Sequence, residues 1–208
     1  NPMLVLDGAQ GIGKSEWVRW MCSAMPDYYI EMPINPDDKD AWLRLASKWI
    51  WEVPELGSTV RRSDREALKH FLTVRETTVR RAYGRYDLTL PAMASLIGTV
   101  NNEAGILADP TGSRRFLCTH IEHIDWGYKS IDVSDVWAEA FAAYAAGETW
   151  VLTPDERARA EEVNAEYQVD DPVEIALLEK FEFTLHDADW VSTYDLLYSL
   201  WGDRGIDR

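Results

Sequence analysis

The stretch Gly8-Ala9-Gln10-Gly11-Ile12-Gly13-Lys14-Ser15 fits G-x-x-x-x-G-K-[ST] at every position. Glycines let such a loop curl until its N–H groups converge on a phosphate at the positive end of the next helix. Lys14 would then reach the β- and γ-phosphates as a point charge, and the Ser15 hydroxyl would be a ligand for Mg²⁺. The pattern also has its required context: an apolar run, Met3 to Asp7, before it and a helical pattern, Lys14 to Met25, after it. Gly8, Ala9, Gln10, Gly11, Ile12, Gly13, Lys14 and Ser15 are therefore expected to bind ATP with Mg²⁺. A glycine turn carrying a solvated lysine is the weaker reading.

Hydrolysis at such a loop needs a carboxylate on a neighbouring strand, to hold the ion through water and to orient the attacking water. Trp49-Ile50-Trp51-Glu52-Val53-Pro54-Glu55-Leu56 ends an apolar strand with two glutamates three residues apart. Glu52 is expected in the Mg²⁺–water shell and Glu55 at water activation, unless both are ordinary loop acids. Thr99-Val100-Asn101-Asn102 closes a later strand, and Asn101 is the candidate γ-phosphate sensor, although asparagine at a strand end is also common turn chemistry. Arg114 and Arg115 follow the turn Asp109-Pro110-Thr111-Gly112. Neighbours on an extended segment face opposite ways, so one of the pair can project towards a neighbouring subunit's γ-phosphate as an arginine finger. A surface arginine paired with Asp109 or Glu122 is the competing reading.

The elements that must position these groups alternate. Strands are expected at 3–7, 28–31, 48–53, 94–100 and 115–121, and helices at 14–25, 37–46 and 63–72, the last opened by a Ser63/Glu66 capping box. Residues 74–90, broken at Tyr83-Gly84, read as a β-hairpin. Alternating strands and helices predict an α/β layer on a parallel sheet. From Val133 the pattern turns helical, over 133–146, 154–167, 172–183 and 189–201. The expected division is an ATPase core over residues 1–125 and a mostly helical C-terminal subdomain over 126–208.

The 208 residues carry 21 Lys+Arg against 36 Asp+Glu, a formal charge of -15, which argues against a protein that coats duplex DNA. The charge is uneven, however. Residues 61–85 hold 8 bases and 3 acids, whereas residues 116–208 hold 6 bases and 21 acids, so a basic island sits inside an acidic chain. No apolar run approaches the roughly 18 residues of a membrane span, and two cysteines cannot build a disulfide framework, so a reducing cytosol is expected. The chain opens on Asn-Pro without an initiator Met and enters a strand at once, which leads us to expect a piece of a longer polypeptide.

Four features in order carry a family resemblance: Gly8–Ser15; Trp51-Glu52 with Glu55-Leu56; Ser63 through Arg85, including Ala67-Leu68-Lys69 and Phe71-Leu72-Thr73; and Thr99 through Phe116. Together they resemble the virulence-associated protein E family of phage and plasmid replication proteins. Members of that family are similar to superfamily 3 helicases of the AAA+ class and are often joined to a primase-polymerase domain. Asp109-Pro110-Thr111-Gly112-Ser113-Arg114-Arg115-Phe116 is the most specific element, with Ser113 where members more often have Asn. Arg81-Ala82-Tyr83-Gly84-Arg85 stands for the family's Arg-Pro-Tyr-Gly-Arg.

The resemblance implies that Lys14, Ser15, Glu52 and Asn101 form the ATPase centre, and that Arg114 or Arg115 acts across a subunit interface. It further implies a ring, a hexamer in the full-length protein, working on single-stranded DNA. Superfamily 3 proteins place a DNA-gripping hairpin between the acidic and sensor strands, which makes Lys69, Arg80, Arg81, Tyr83 and Arg85 the candidate DNA contacts. A solvated helix face is an equal reading for Arg61 to Lys69.

Cys118, His120 and His123 have ligand types at close spacing, but three candidates without a second pair give little support for zinc. The expectation is an AAA+-like P-loop α/β ATPase domain of a replicative helicase, hydrolysing ATP to move on single-stranded DNA. The rivals are a P-loop phosphotransferase for a small molecule and a nucleotide-gated assembly module without unwinding activity.

Overall fold

The computed structural model describes residues 2–62, 65–80, 85–102, 107 and 114–168, together with 192, 195–196 and 198–199; for 60–62 and 65–66 the backbone alone is described. The chain forms two compact units, residues 1–169 and 170–208. The expected boundary at 125/126 falls inside the first unit. In the second, Ser192 accepts a hydrogen bond from the Asp195 N–H and donates to its carboxylate, a local cap.

The first unit is built on a five-stranded parallel sheet. Its strands are β1 (Met3–Asp7), β2 (Tyr29–Glu31), β3 (Ile50–Val53), β6 (Ser95–Val100) and β7 (Phe116–His120), in the spatial order β2-β3-β6-β1-β7. Parallel strands buried on both faces read as apolar runs, which is why β1, β3 and β6 were legible in the sequence. β4 (Glu76–Val79) and β5 (Leu88–Pro91) pair antiparallel as the expected hairpin, a separate two-stranded sheet; its tip, 81–84, lies outside the described residues.

Period-2 alternation assigns each strand's side chains to two layers. Met3 and Val5, Trp51 and Val53, and Leu96 and Val100 face α2 (Lys39–Ser47), α3 (Leu56–Arg62) and α4 (Arg65–Thr73). Phe71 of α4 meets Trp42 and Trp51 edge-on, with ring centroids 4.9 and 5.7 Å apart. Such pairs each add about 0.5–1.5 kcal/mol to the burial itself. On the opposite face Leu6, Ile50 and Ile97 pack on Val18 and Cys22, at and just beyond α1 (Lys14–Met21). α3 was not anticipated; Leu56 opens it directly after the acidic strand. α1 stops at Met21, short of the expected Met25.

β7 is an edge strand, and its outer edge is closed by a side chain. Asn164 of α6 (Pro154–Ala165) donates to the Phe116 carbonyl at 2.8 Å and accepts from the Cys118 N–H at 3.2 Å, at 1% exposure. α6 begins with a full capping box between Thr153 and Glu156, and α5 (Val133–Ala145) is tied to the end of α1 by the Trp137 indole donating to the Met21 carbonyl. Among the described residues, no helix is long and apolar enough to cross a membrane.

Candidate functional site

β1 runs straight into the glycine loop, so the loop emerges at the C-terminal end of the sheet's middle strands. Gly8 and Gly13 have φ of 154° and 104°, and a Cβ at either would collide: at 2.4 Å from the Ile121 carbonyl oxygen for Gly8, and at 2.6 Å from the Trp126 ring for Gly13. The motif's glycines are therefore required by close approach as well as by conformation. Gly13 caps α1 without any side-chain hydrogen bond, and the helix begins at Lys14 itself.

A cleft of about 430 Å³ opens over this loop. Gln10, Gly13, Lys14 and Ser15 line it, with Glu55 and Thr99 and Asn101 from the neighbouring strand ends, and Trp126 and Lys129 from beyond β7. Lys14 is only 6% exposed; its ammonium donates to the carbonyls of Gly8 (2.6 Å) and Ala9 (2.9 Å) and to the Asn101 side-chain oxygen (3.2 Å). Burial pulls its pKa below the ordinary lysine value, and the nearby Asp7 carboxylate opposes that shift. The loop lysine and the expected sensor thus touch, across 87 residues of sequence.

The two glutamates part company. Glu55 reaches the cleft from the turn after β3, with a left-handed φ of 48°. Glu52 is fully buried and lies on the α1 face, where the Tyr29 hydroxyl donates to its Oε2 at 2.5 Å; its Oε1 finds no partner among the described residues. The register explains why. Glu52 pairs with Ile97, and Ile97 with Leu4, so Glu52 sits three residues below Asp7. That is about 10 Å of strand short of the loop. The structure therefore does not bring Glu52 to the cleft lining; of the two strand-end glutamates it brings Glu55, beside Glu16 of α1. Beside Glu52, burial first and then the charge of Glu52 push the Cys22 thiol up to about 11. Cys118 is likewise raised to about 12, by burial and then Asp7, so both thiols are poor nucleophiles.

Asp7 was missed by the sequence reading. Its carboxylate accepts from the Asn102 N–H (2.8 Å) and the Tyr167 hydroxyl (3.2 Å) and pairs with His120 Nδ1 (3.0 Å). It thereby holds the ends of β1, β6 and β7 together beneath the loop. An acid closing an otherwise apolar strand immediately before Gly8 was the available signal.

Arg114 and Arg115 lie at the opposite end of the strands. Met3 pairs with Phe116 and Asp7 with His120, so these arginines stand at the N-terminal end of β7, about 16 Å of strand from the level of the loop. Arg114 is exposed beside Pro2, Trp150 and Arg157, while Arg115 is half-buried, its Nε without a partner among the described residues. Of the candidate DNA contacts, Arg80 directly follows the first hairpin strand and pairs with Asp87 at 2.9 Å. Arg85 is exposed, Lys69 is half-buried on α4, and Arg81 and Tyr83 lie outside the described residues, as do Asp109–Ser113 and the capping residue Ser63.

The fold and cleft define a class: a parallel α/β protein whose glycine loop, buried lysine and strand-end asparagine meet at the C-terminal ends of its central strands. The chain belongs to the virulence-associated protein E-like domain family, whose model matches residues 1–169. No curated protein matches it at a significant level. Among solved structures, the apo A form of the NrS-1 C-terminal region is similar at 17% identity and a TM-score of 0.48, over 84% of this chain and 44% of that one. A second structure, of residues 305–718 of the same region, gives 16% identity and a TM-score of 0.41 over 80% and 34%. The chain thus spans less than half the length of either.

Proposed function

We propose that this chain is the ATP-hydrolysing motor of a phage- or plasmid-type replicative helicase, built as an AAA+-like P-loop domain that moves on single-stranded DNA. The contact between Lys14 and Asn101 in the cleft shared with Ser15 and Glu55 carries this reading. The strand order supports it, because the P-loop strand β1 is flanked by the sensor strand β6, with the acidic strand β3 next. A triphosphate cradled by the loop amides would draw the Lys14 ammonium from the carbonyls of Gly8 and Ala9 to the β- and γ-phosphates. Asn101 would follow the γ-phosphate, and Glu55 would accept a proton from the attacking water. The donor set fits Mg²⁺, which the Ser15 hydroxyl would hold, with the Glu55 carboxylate facing the same cleft; bound there, the ion supplies charge neutralisation between the phosphates.

Arg114 is the better finger candidate. It is exposed and stands at the N-terminal end of β7, away from its own cleft, so a γ-phosphate that it reached would be a neighbour's. The hairpin would meet the DNA strand through Arg80, Arg81 and Arg85, with Tyr83 stacking on a base.

Steady-state ATP hydrolysis by the chain and by its Lys14→Ala variant, with and without single-stranded DNA, tests the reading. Lys14-dependent hydrolysis stimulated by DNA is expected. Turnover that requires a small-molecule acceptor would replace it with a phosphotransferase, and binding without turnover with an assembly module.

A further inference from the structure

The strand order gives the cleft two ends. Asn101 and Glu55 follow β6 and β3 on one side of β1, whereas Trp126 and Lys129 follow β7 on the other. A triphosphate whose γ-phosphate meets Asn101 and lies across the loop therefore delivers its nucleoside to the β7 side. The 3₁₀ turn Trp126–Ser130 waits there, its start capped by Asp125, whose carboxylate accepts from the Gly127 N–H at 2.8 Å.

Trp126 is held as a platform would be. It rests against Gly13, Tyr128 lies along it with ring centroids 6.1 Å apart and 29° between planes, and Tyr128 is itself braced edge-on by Trp20 of α1 at 4.8 Å. Even so, 46% of Trp126 remains exposed, in a residue type that is usually well covered. Lys129 Nζ stands over the Trp126 ring, 4.7 Å from its centroid and 3.2 Å from Glu16 Oε1, so one face of the ring carries a cation that Glu16 can draw aside.

Resting on the reading of the glycine loop as a triphosphate cradle, we propose that Trp126 is the platform on which the nucleotide's base stacks. Every base offers a π-face, so stacking reads area and not hydrogen-bonding pattern. The site accordingly prefers purine over pyrimidine triphosphates while discriminating little between ATP and GTP.

Calorimetric titration of the whole chain with ATP, CTP and inorganic tripolyphosphate, for the wild type, Trp126→Ala and Trp126→Phe, tests this. Trp126→Ala is expected to weaken ATP binding by about 10- to 100-fold and CTP binding by less, with Phe recovering most of the loss. Tripolyphosphate, which has no base, should stay within about twofold. An unchanged ATP affinity overturns the platform. So does a parallel loss of tripolyphosphate, since Trp126 would then only shape the loop through Gly13. Wild-type protein that binds ATP and tripolyphosphate equally removes the platform and leaves the cradle, whereas protein that binds neither removes both.

Discussion

At the cleft, Lys14 is 6% exposed and its three donors are all engaged by Gly8, Ala9 and Asn101. On the hairpin, Arg80 stands in solvent with its side chain 60% exposed and paired with an equally exposed Asp87. Both are cations assigned to phosphate, and they differ in what surrounds them. A desolvated charge held by oriented dipoles interacts strongly and at one geometry. An exposed charge beside an acid is screened, adaptable and individually weak. The first arrangement suits a single triphosphate read to within an ångström; the second suits a strand that must be gripped and released.

The largest effect should follow from emptying the desolvated position. Lys14→Ala is expected to lower kcat/KM for ATP by about 10⁴-fold, through loss of both binding and turnover. A steady-state assay that finds less than a tenfold loss would remove Lys14 from the phosphate site. Next comes the charge proposed to act between subunits. Arg114→Ala is expected to cost about 10³-fold in kcat while ATP affinity stays unchanged, and Arg115→Ala far less. Equal losses in the two variants, measured on the assembled protein, would break the assignment of Arg114.

The two glutamates sharpen the comparison further. Glu55→Gln should reduce turnover by about 10²-fold, and Glu52→Gln by no more than about threefold, because Glu52 lies below the cleft and bonds to Tyr29. A Glu52→Gln enzyme as impaired as Glu55→Gln would return Glu52 to the ion shell. The smallest effect belongs to the exposed region. Arg80→Ala with Arg81→Ala should weaken single-stranded DNA binding about tenfold at low salt and leave ATP affinity intact. Unaltered DNA affinity under those conditions would take the hairpin out of the DNA path.

Much of this was legible before the fold, and the limits are physical. Gly8–Ser15 is a contiguous motif whose residue types and spacing lie within eight positions, so it could be read directly even though Ile121 and Trp126 also crowd its glycines; the β1, β6 and β7 strands announced themselves as apolar runs. Family membership, expected from four ordered motifs, is borne out across residues 1–169. Glu52 was harder, because a glutamate near a strand end looks the same whether the strand ends one residue later or its neighbours run on past it. Trp126 is one of many aromatic residues in the chain, and its place against Gly13 is what distinguishes it.

The sequence by itself determined the phosphate-loop pattern, the alternation of strands and helices, the hairpin and the segregation of charge, since each depends on residues within a few positions of one another. Tertiary structure alone decided which acid reaches the cleft and which arginine is exposed. It also decided which side of the loop receives a ring, and that Asp7 ties three strand ends together. Those outcomes depend on strand order and register. One step of register moves a side chain by about 3.3 Å and to the opposite face, and no local pattern records it.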